Sequence, residues 1–261
     1  GKIASENNFS LNTANNFTNS GEIVAKNLQI SSDKNLINNK LLQAENDITL
    51  NANQISNTSA GEVSTKSADS MLILNGVADI TNDGLFASRG DVTVNTQVLT
   101  NNKNISASKT TKLNVGSLGN SGLIYGENLI VGSAGNQVEN IAQPSGFRTF
   151  SSTEQKGLVA ASSLTLYTQG ILNDVYQAAN INISSDSALT LNGSVVANNQ
   201  ANITSSNFTN NGKVDIGDSA LTSTWNVQGT LANNGIINSK SNLLLNADTA
   251  SNDGTFNTTK A

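Results

Sequence analysis

One short unit constrains this chain more than any other feature. An apolar residue, any residue and then Asn return at nearly fixed spacing along most of its length. The unit reads Phe17-Thr18-Asn19-Ser20-Gly21, Ile37-Asn38-Asn39-Lys40, Ile55-Ser56-Asn57-Thr58, Ile80-Thr81-Asn82-Asp83-Gly84, Leu99-Thr100-Asn101-Asn102-Lys103 and Leu118-Gly119-Asn120-Ser121-Gly122. Successive copies lie about 18 to 20 residues apart, with one longer step of about 25 between Ile55 and Ile80. The unit resumes at Phe208-Thr209-Asn210-Asn211-Gly212, Leu231-Ala232-Asn233-Asn234-Gly235 and Ala250-Ser251-Asn252-Asp253-Gly254.

Between these anchors stand apolar-polar-apolar triplets: Leu28-Gln29-Ile30, Ile48-Thr49-Leu50, Val92-Thr93-Val94, Leu113-Asn114-Val115, Leu164-Thr165-Leu166, Ile181-Asn182-Ile183 and Leu189-Thr190-Leu191. Their period of two is that of a strand with one buried face. A repeat of about 20 residues cannot bury that face alone, whereas stacked repeats close a continuous core. The expectation is an all-β chain folded as a parallel β-helix. Asn and Gly suit its corners because both tolerate left-handed backbone, and Asn stacked at one corner can hydrogen-bond from coil to coil. The excess of Asn, 43 of 261 residues, therefore reads as structural. At roughly 4.8 Å per coil, about thirteen coils predict a monomeric rod on the order of 60 Å long. Residues 1–132 and 171–261 read as β-helix repeats. Residues 133–170 read as irregular coils or an inserted loop within the same solenoid, and Ala60 to Ser70 as an exposed excursion.

Composition excludes several functions. With no Cys and no His, there is no thiol nucleophile, imidazole base, disulfide or Cys/His zinc site. A net charge of -5 without a basic run argues against a nucleic-acid partner. No apolar run approaches the roughly 20 residues of a membrane span and no signal peptide opens the chain, so an internal or mature segment of an exported protein is expected. No cofactor or metal is expected either.

The Asn-Ser-Gly-x-Ile corners at Asn19 to Ile23 and Asn120 to Ile124 are followed by Asn27-Leu28-Gln29-Ile30 and Glu127-Asn128-Leu129-Ile130. This pattern resembles the filamentous-haemagglutinin repeats of two-partner-secretion exoproteins, which include adhesins and the CdiA proteins of contact-dependent growth inhibition. The resemblance covers most of the chain outside about 133 to 170. It implies a right-handed β-helix displayed on the outer surface of a Gram-negative bacterium, exported through an outer-membrane transporter of the two-partner type. It also implies a non-catalytic shaft or receptor-binding segment, because the Asn-Pro-Asn-Gly type motif of the family's secretion domain is absent.

Candidate functional residues are few. Gln143, Pro144, Phe147, Arg148 and Phe150 lie where the rhythm breaks, and insertions in a solenoid are common contact surfaces. They are the candidate receptor-binding residues, for a protein or glycan receptor on a target cell. Enzymatic β-helices need clustered carboxylates with a basic partner. Asp79 with Asp83 and Asp215 with Asp218 read instead as corner residues without Arg or Lys beside them at strand spacing. Arg89-Gly90-Asp91 matches an integrin-binding tripeptide but occupies the slot that Glu45-Asn46-Asp47 fills elsewhere, so a polar corner accounts for it. The Asn-x-Ser/Thr triplets, among them those at Asn8, Asn16, Asn104, Asn192 and Asn207, are no more numerous than chance predicts. Tyr125, Tyr167, Tyr176 and Trp225 are too dispersed for a stacking platform. Trp225 reads as filling a widened coil or as an outward anchor.

Overall fold

A computed structural model describes residues 1–142 and 156–259, apart from the side chains of 140–142. The described residues form strands, turns and bends without a helix, and every strand pairing is parallel. Contacts divide the chain into two units, residues 1–127 and 128–261, each a parallel β-solenoid.

In the first unit the repeating Asn sets the register. Phe17 pairs with Leu36, Leu36 with Ile55, Ile55 with Ile80, Ile80 with Leu99 and Leu99 with Leu118, and the Asn two residues on pairs in the same sequence. The second copy of the unit is therefore Leu36-Ile37-Asn38. Reading it from Ile37 was one residue out of register, since Ile37 is only half-buried and it is Leu36 that lies inside. Apolar residues at alternate positions, among them Ile30, Leu50, Leu74 and Val94, are fully buried. Each such side chain contributes about 1.5–3 kcal/mol by leaving water.

The ladder Asn point inward as well. Asn38, Asn57, Asn82 and Asn101 have no exposed surface, and an amide in such a place must find partners for its oxygen and both of its protons. Stacking supplies them. Nδ2 of Asn19 donates to Oδ1 of Asn38 at 2.8 Å, and Asn38 to Asn57, Asn57 to Asn82, Asn82 to Asn101 and Asn101 to Asn120 follow at 2.8–2.9 Å. The same Nδ2 groups donate to backbone carbonyls at the next corner, as Asn101 does to Lys103 and Leu123. Oδ1 of Asn19, Asn82 and Asn120 accepts the amide N–H of the Gly two residues on. These backbone partners fix which way each amide faces.

The long step from Asn57 to Asn82 shows how a coil absorbs extra residues. Pairing registers place two of them between Asn57 and Glu62, three between Thr65 and Leu72, and one in a bulge between Gly76 and Asp79. Ala60 to Ser70 is therefore not a single exposed excursion. Glu62–Thr65 is a wall strand with Val63 fully buried, and only the turns on either side bulge outward. Thr65, Ser70 and Ser88 form a buried hydroxyl cluster at that corner, linked at 2.5–3.2 Å. Leu113-Asn114-Val115 also departs from the repeat. Leu113 aligns with Val94, so Thr111 takes the core position of Val92 and satisfies its hydroxyl on the Tyr125 carbonyl at 2.6 Å.

The second unit carries a shorter ladder, from Asn210 to Asn233 at 2.7 Å and from Asn233 to Asn252 at 2.6 Å. In the two preceding coils the same position is Leu172 and Leu191, both fully buried. Leu189-Thr190-Leu191 thus belongs to the Asn wall, pairing with Phe208-Thr209-Asn210. The column works with amides throughout a run or with hydrocarbon throughout a run, because either leaves no polar atom stranded.

Replacing Asn101 by Ala removes the Oδ1 acceptor of one Asn82 proton and one of the two donors to Asn120 Oδ1, all inside the core. We expect a loss of about 2–4 kcal/mol in urea unfolding, whereas Asn102→Ala on the exposed face costs less than about 0.5 kcal/mol.

Candidate functional site

Gln143, Pro144, Phe147, Arg148 and Phe150 lie outside the described residues. A parallel strand pair flanks them in the second unit. Val138–Ala142 pairs in parallel with Gly157–Leu172, Val138 opposite Thr168 and Glu139 opposite Gln169. A tight turn precedes this strand, where Ser133 and Asn136 exchange backbone hydrogen bonds of 3.0 Å. Gly132, at φ +76°, allows the entry, because a Cβ there would meet the Tyr167 carbonyl at 2.6 Å. Gly157, at φ +109°, marks the return, where a Cβ would lie 2.5 Å from the Val175 carbonyl. Both are backbone conformations that residues with a Cβ rarely adopt.

Beside this strand pair lies an open groove of about 360 Å³, lined by Glu139, Gln169, Gly170, Ser187 and Ala188. Gln169 Nε2 donates to Glu139 Oε1 at 3.3 Å, and nearby the Asp186 N–H donates to Gln137 Oε1 at 3.3 Å. The lining combines a carboxylate, an amide and a hydroxyl with the apolar surface of Gly170 and Ala188. Sequence reasoning missed it. Glu139 and Gln169 meet across thirty residues that include the segment breaking the repeat, so no spacing rule links them.

The other candidates fall into structural roles. Asp79 accepts from Gln54 at 2.6 Å, and Asp83 accepts from Asn102 at 2.7 Å, both across coils. Asp215 does have a basic neighbour at strand spacing, contrary to the expectation. Lys213 Nζ stands 2.6 Å from its carboxylate, and Asn238 donates to it at 2.7 Å. Both residues belong to the strand Lys213–Ile216, where positions two apart share a face. Asp79 and Asp83 sit on successive stretches of one coil without a shared partner, and no group of three or more metal-binding side chains occurs among the described residues.

Arg89-Gly90-Asp91 is a closed corner. Gly90 is buried with its face against the Ser70 backbone, where a Cβ would overlap the carbonyl oxygen. The Asp91 carboxylate accepts the Thr110 N–H at 2.9 Å. Asp47, Met71 and Asp91 share this column, as the comparison with Glu45-Asn46-Asp47 predicts. At the same corner Lys109 holds the exposed Asp69 carboxyl below its usual range through a 2.6 Å hydrogen-bonded ion pair. Among the acceptor triplets, Asn8, Asn16, Asn104, Asn192 and Asn207 are exposed, whereas Asn57, which also begins one, is a buried rung of the ladder.

Trp225 is an interior residue, not an outward anchor. It has no exposed surface, donates Nε1–H to the Ala201 carbonyl at 3.0 Å, and meets Phe208 edge-on at 5.4 Å between ring centroids. Tyr176 is also fully buried, with no well-oriented hydrogen-bond partner for its hydroxyl among the described residues. Burial, then the negative charge of nearby Asp174, pushes its phenol well above the ordinary value of 10.0.

Comparison with known proteins yields no matching family model, no matching curated protein and no matching solved structure.

Two measurements check this description. The unfolded chain releases the Tyr176 proton from about pH 10 while the folded chain retains it, so this residue's contribution is intact below that pH and is lost above it. Tyr176→Phe should therefore show a smaller fall in urea midpoint between about pH 9 and pH 11 than the parent. Trp225 emission should be blue-shifted and inaccessible to iodide until the chain unfolds.

Proposed function

We propose that this chain is a non-catalytic segment of a secreted, surface-displayed exoprotein, a stiff spacer that carries a receptor-contacting surface toward neighbouring bacteria for toxin delivery. The observation that carries the reading is the repeated coil itself. Parallel strands held by runs of stacked side-chain amides stiffen the coils without a disulfide, and the longest departure from the sequence repeat falls between about 133 and 157. Export through an outer-membrane transporter of the two-partner type suits a chain without Cys, which cannot be trapped by premature cross-links. The receptor contact is assigned to Gln143, Pro144, Phe147, Arg148 and Phe150, with the groove at Glu139, Gln169 and Ser187 as a second, polar contact surface. A protein or glycan receptor fits such a lining.

Host-cell adhesion is a related reading in which the same surface meets a eukaryotic receptor. A carbohydrate-active enzyme or tail-spike module draws support from one observation, the Lys213 and Asp215 pair on an outward strand face. Depolymerisation of an acidic polysaccharide, abolished by Asp215→Asn, would favour that reading.

Deleting residues 143–150 is expected to abolish binding of the purified chain to receptor-bearing bacterial cells while leaving the thermal midpoint within about 4 °C of the parent. Unchanged binding would reduce the segment to a spacer. Binding to epithelial but not bacterial cells would favour the adhesin.

A further inference from the structure

Two packing rules meet on one exposed column of the second unit. The first concerns glycine. A Cβ on Gly193 would overlap the Asp174 carbonyl oxygen, one on Gly212 the Gly193 oxygen, and one on Gly235 the Gly212 oxygen, so successive coils approach too closely there for any side chain. The second concerns the preceding residue, an exposed Asn that forms a rung in each coil. Asn192 donates to Asn173 at 2.9 Å, Asn211 to Asn192 at 3.0 Å and Asn234 to Asn211 at 2.9 Å. Together the rules place Asn-Gly on three consecutive rungs. In this dipeptide the side-chain amide carbon is most open to the following backbone nitrogen, because Gly has no Cβ to obstruct the approach.

We propose that Asn192, Asn211 and Asn234 are self-modification sites whose reactivity is gated by coil closure, and that Asn234 is the rung where the product disrupts the fold. The Gly nitrogen gives up its proton and attacks the Asn side-chain carbon. A new C–N bond closes a five-membered imide as the bond to Nδ2 breaks, and ammonia leaves with the proton. Water then opens the ring at either carbonyl, giving aspartate or its backbone-extended isomer.

The folded coil blocks the first step at two places. The attacking N–H groups are held by backbone carbonyls, Gly193 by Leu172 at 3.0 Å, Gly212 by Leu191 at 2.9 Å and Gly235 by Asn210 at 2.9 Å. The side-chain amides are tied to the rung before. Attack requires both ties to break, so the reaction follows local opening of the coil.

The product's effect depends on its neighbours. A lone carboxylate beside a rung amide is already accommodated in the first unit, where Asp83 accepts from Asn102 at 2.7 Å. Asn211 has amides on both sides, at Asn192 and Asn234. Asn234 instead precedes Asp253, which takes the same place in the next coil, since Asn233 pairs with Asn252. Conversion of Asn234 would set two carboxylates on adjacent rungs, about 4.8 Å apart by the strand spacing, with mutual repulsion.

The test is peptide mass spectrometry of the full chain held in warm, mildly alkaline buffer, with and without denaturing urea. All three steps are expected to convert at least about tenfold more slowly in the folded chain. Equal rates in both conditions would overturn the gating. Separately, N234D should lower the thermal midpoint at neutral pH more than N211D does, and the difference should vanish in strong acid, where the charge repulsion is removed. An equal effect of the two substitutions at neutral pH, or a difference that persists in acid, would overturn the assignment to Asn234.

Discussion

The fold depends on burying a primary amide at the same corner of successive coils without leaving any of its hydrogen-bonding groups unmet. In isolation a buried Asn is a liability, since an unpaired donor or acceptor costs about 1–3 kcal/mol. In a column each amide completes the next, and the corner carbonyls take the remaining protons. The arrangement works only in register. Slipping one coil by a residue would turn the Asn outward and an outward residue inward, leaving an orphaned amide above and below. Apolar burial supplies the main driving force, and the ladder makes one alignment of the coils better than its neighbours.

The amides also run in opposite senses inside and outside. Along the buried column Nδ2 points to the following coil, as in Asn57 to Asn82 and Asn233 to Asn252. On the outer columns it points to the preceding coil, as in Asn75 to Asn51, Asn114 to Asn95 and Asn238 to Asp215. Backbone groups lock both senses. Buried Oδ1 atoms accept a Gly N–H two residues on, whereas outer ones such as Asn207 and Asn202 accept the N–H of Thr230 and Thr224 in the next coil. Each column is polar, but the buried and outer rows oppose each other, so their side-chain dipoles offset along the stacking direction.

Much of the fold was legible in the sequence because one geometric constraint repeats. Wherever Asn and its apolar partner stood alone, as at Ile80 and Asn82, the spacing gave the observed register. Reading failed where the sequence was degenerate. Asn38-Asn39 offered two candidates for one rung, and Leu189-Thr190-Leu191 looked like an ordinary core triplet although Leu191 replaces a ladder Asn. The long coil misled for a different reason. Its extra residues divide among three corners, so a polar stretch that looks like one loop encloses a buried wall strand around Val63. The candidate site was least legible. Its groove joins Glu139 to Gln169 and Ser187 across irregular sequence, and neither composition nor period reports such a contact. The Lys213 and Asp215 pair was available from simple alternation, and only the emphasis on corners hid it.

Hydrogen exchange of the side-chain amides, followed by NMR, tests the ladder most directly. The account predicts that the Nδ2 protons of Asn38, Asn57, Asn82 and Asn101 exchange as slowly as the backbone amides of the core, and far more slowly than those of exposed Asn102 and Asn211. If the buried and exposed Asn side chains exchanged at the same rate, the amides would not be holding the coils in register, and the account would be wrong.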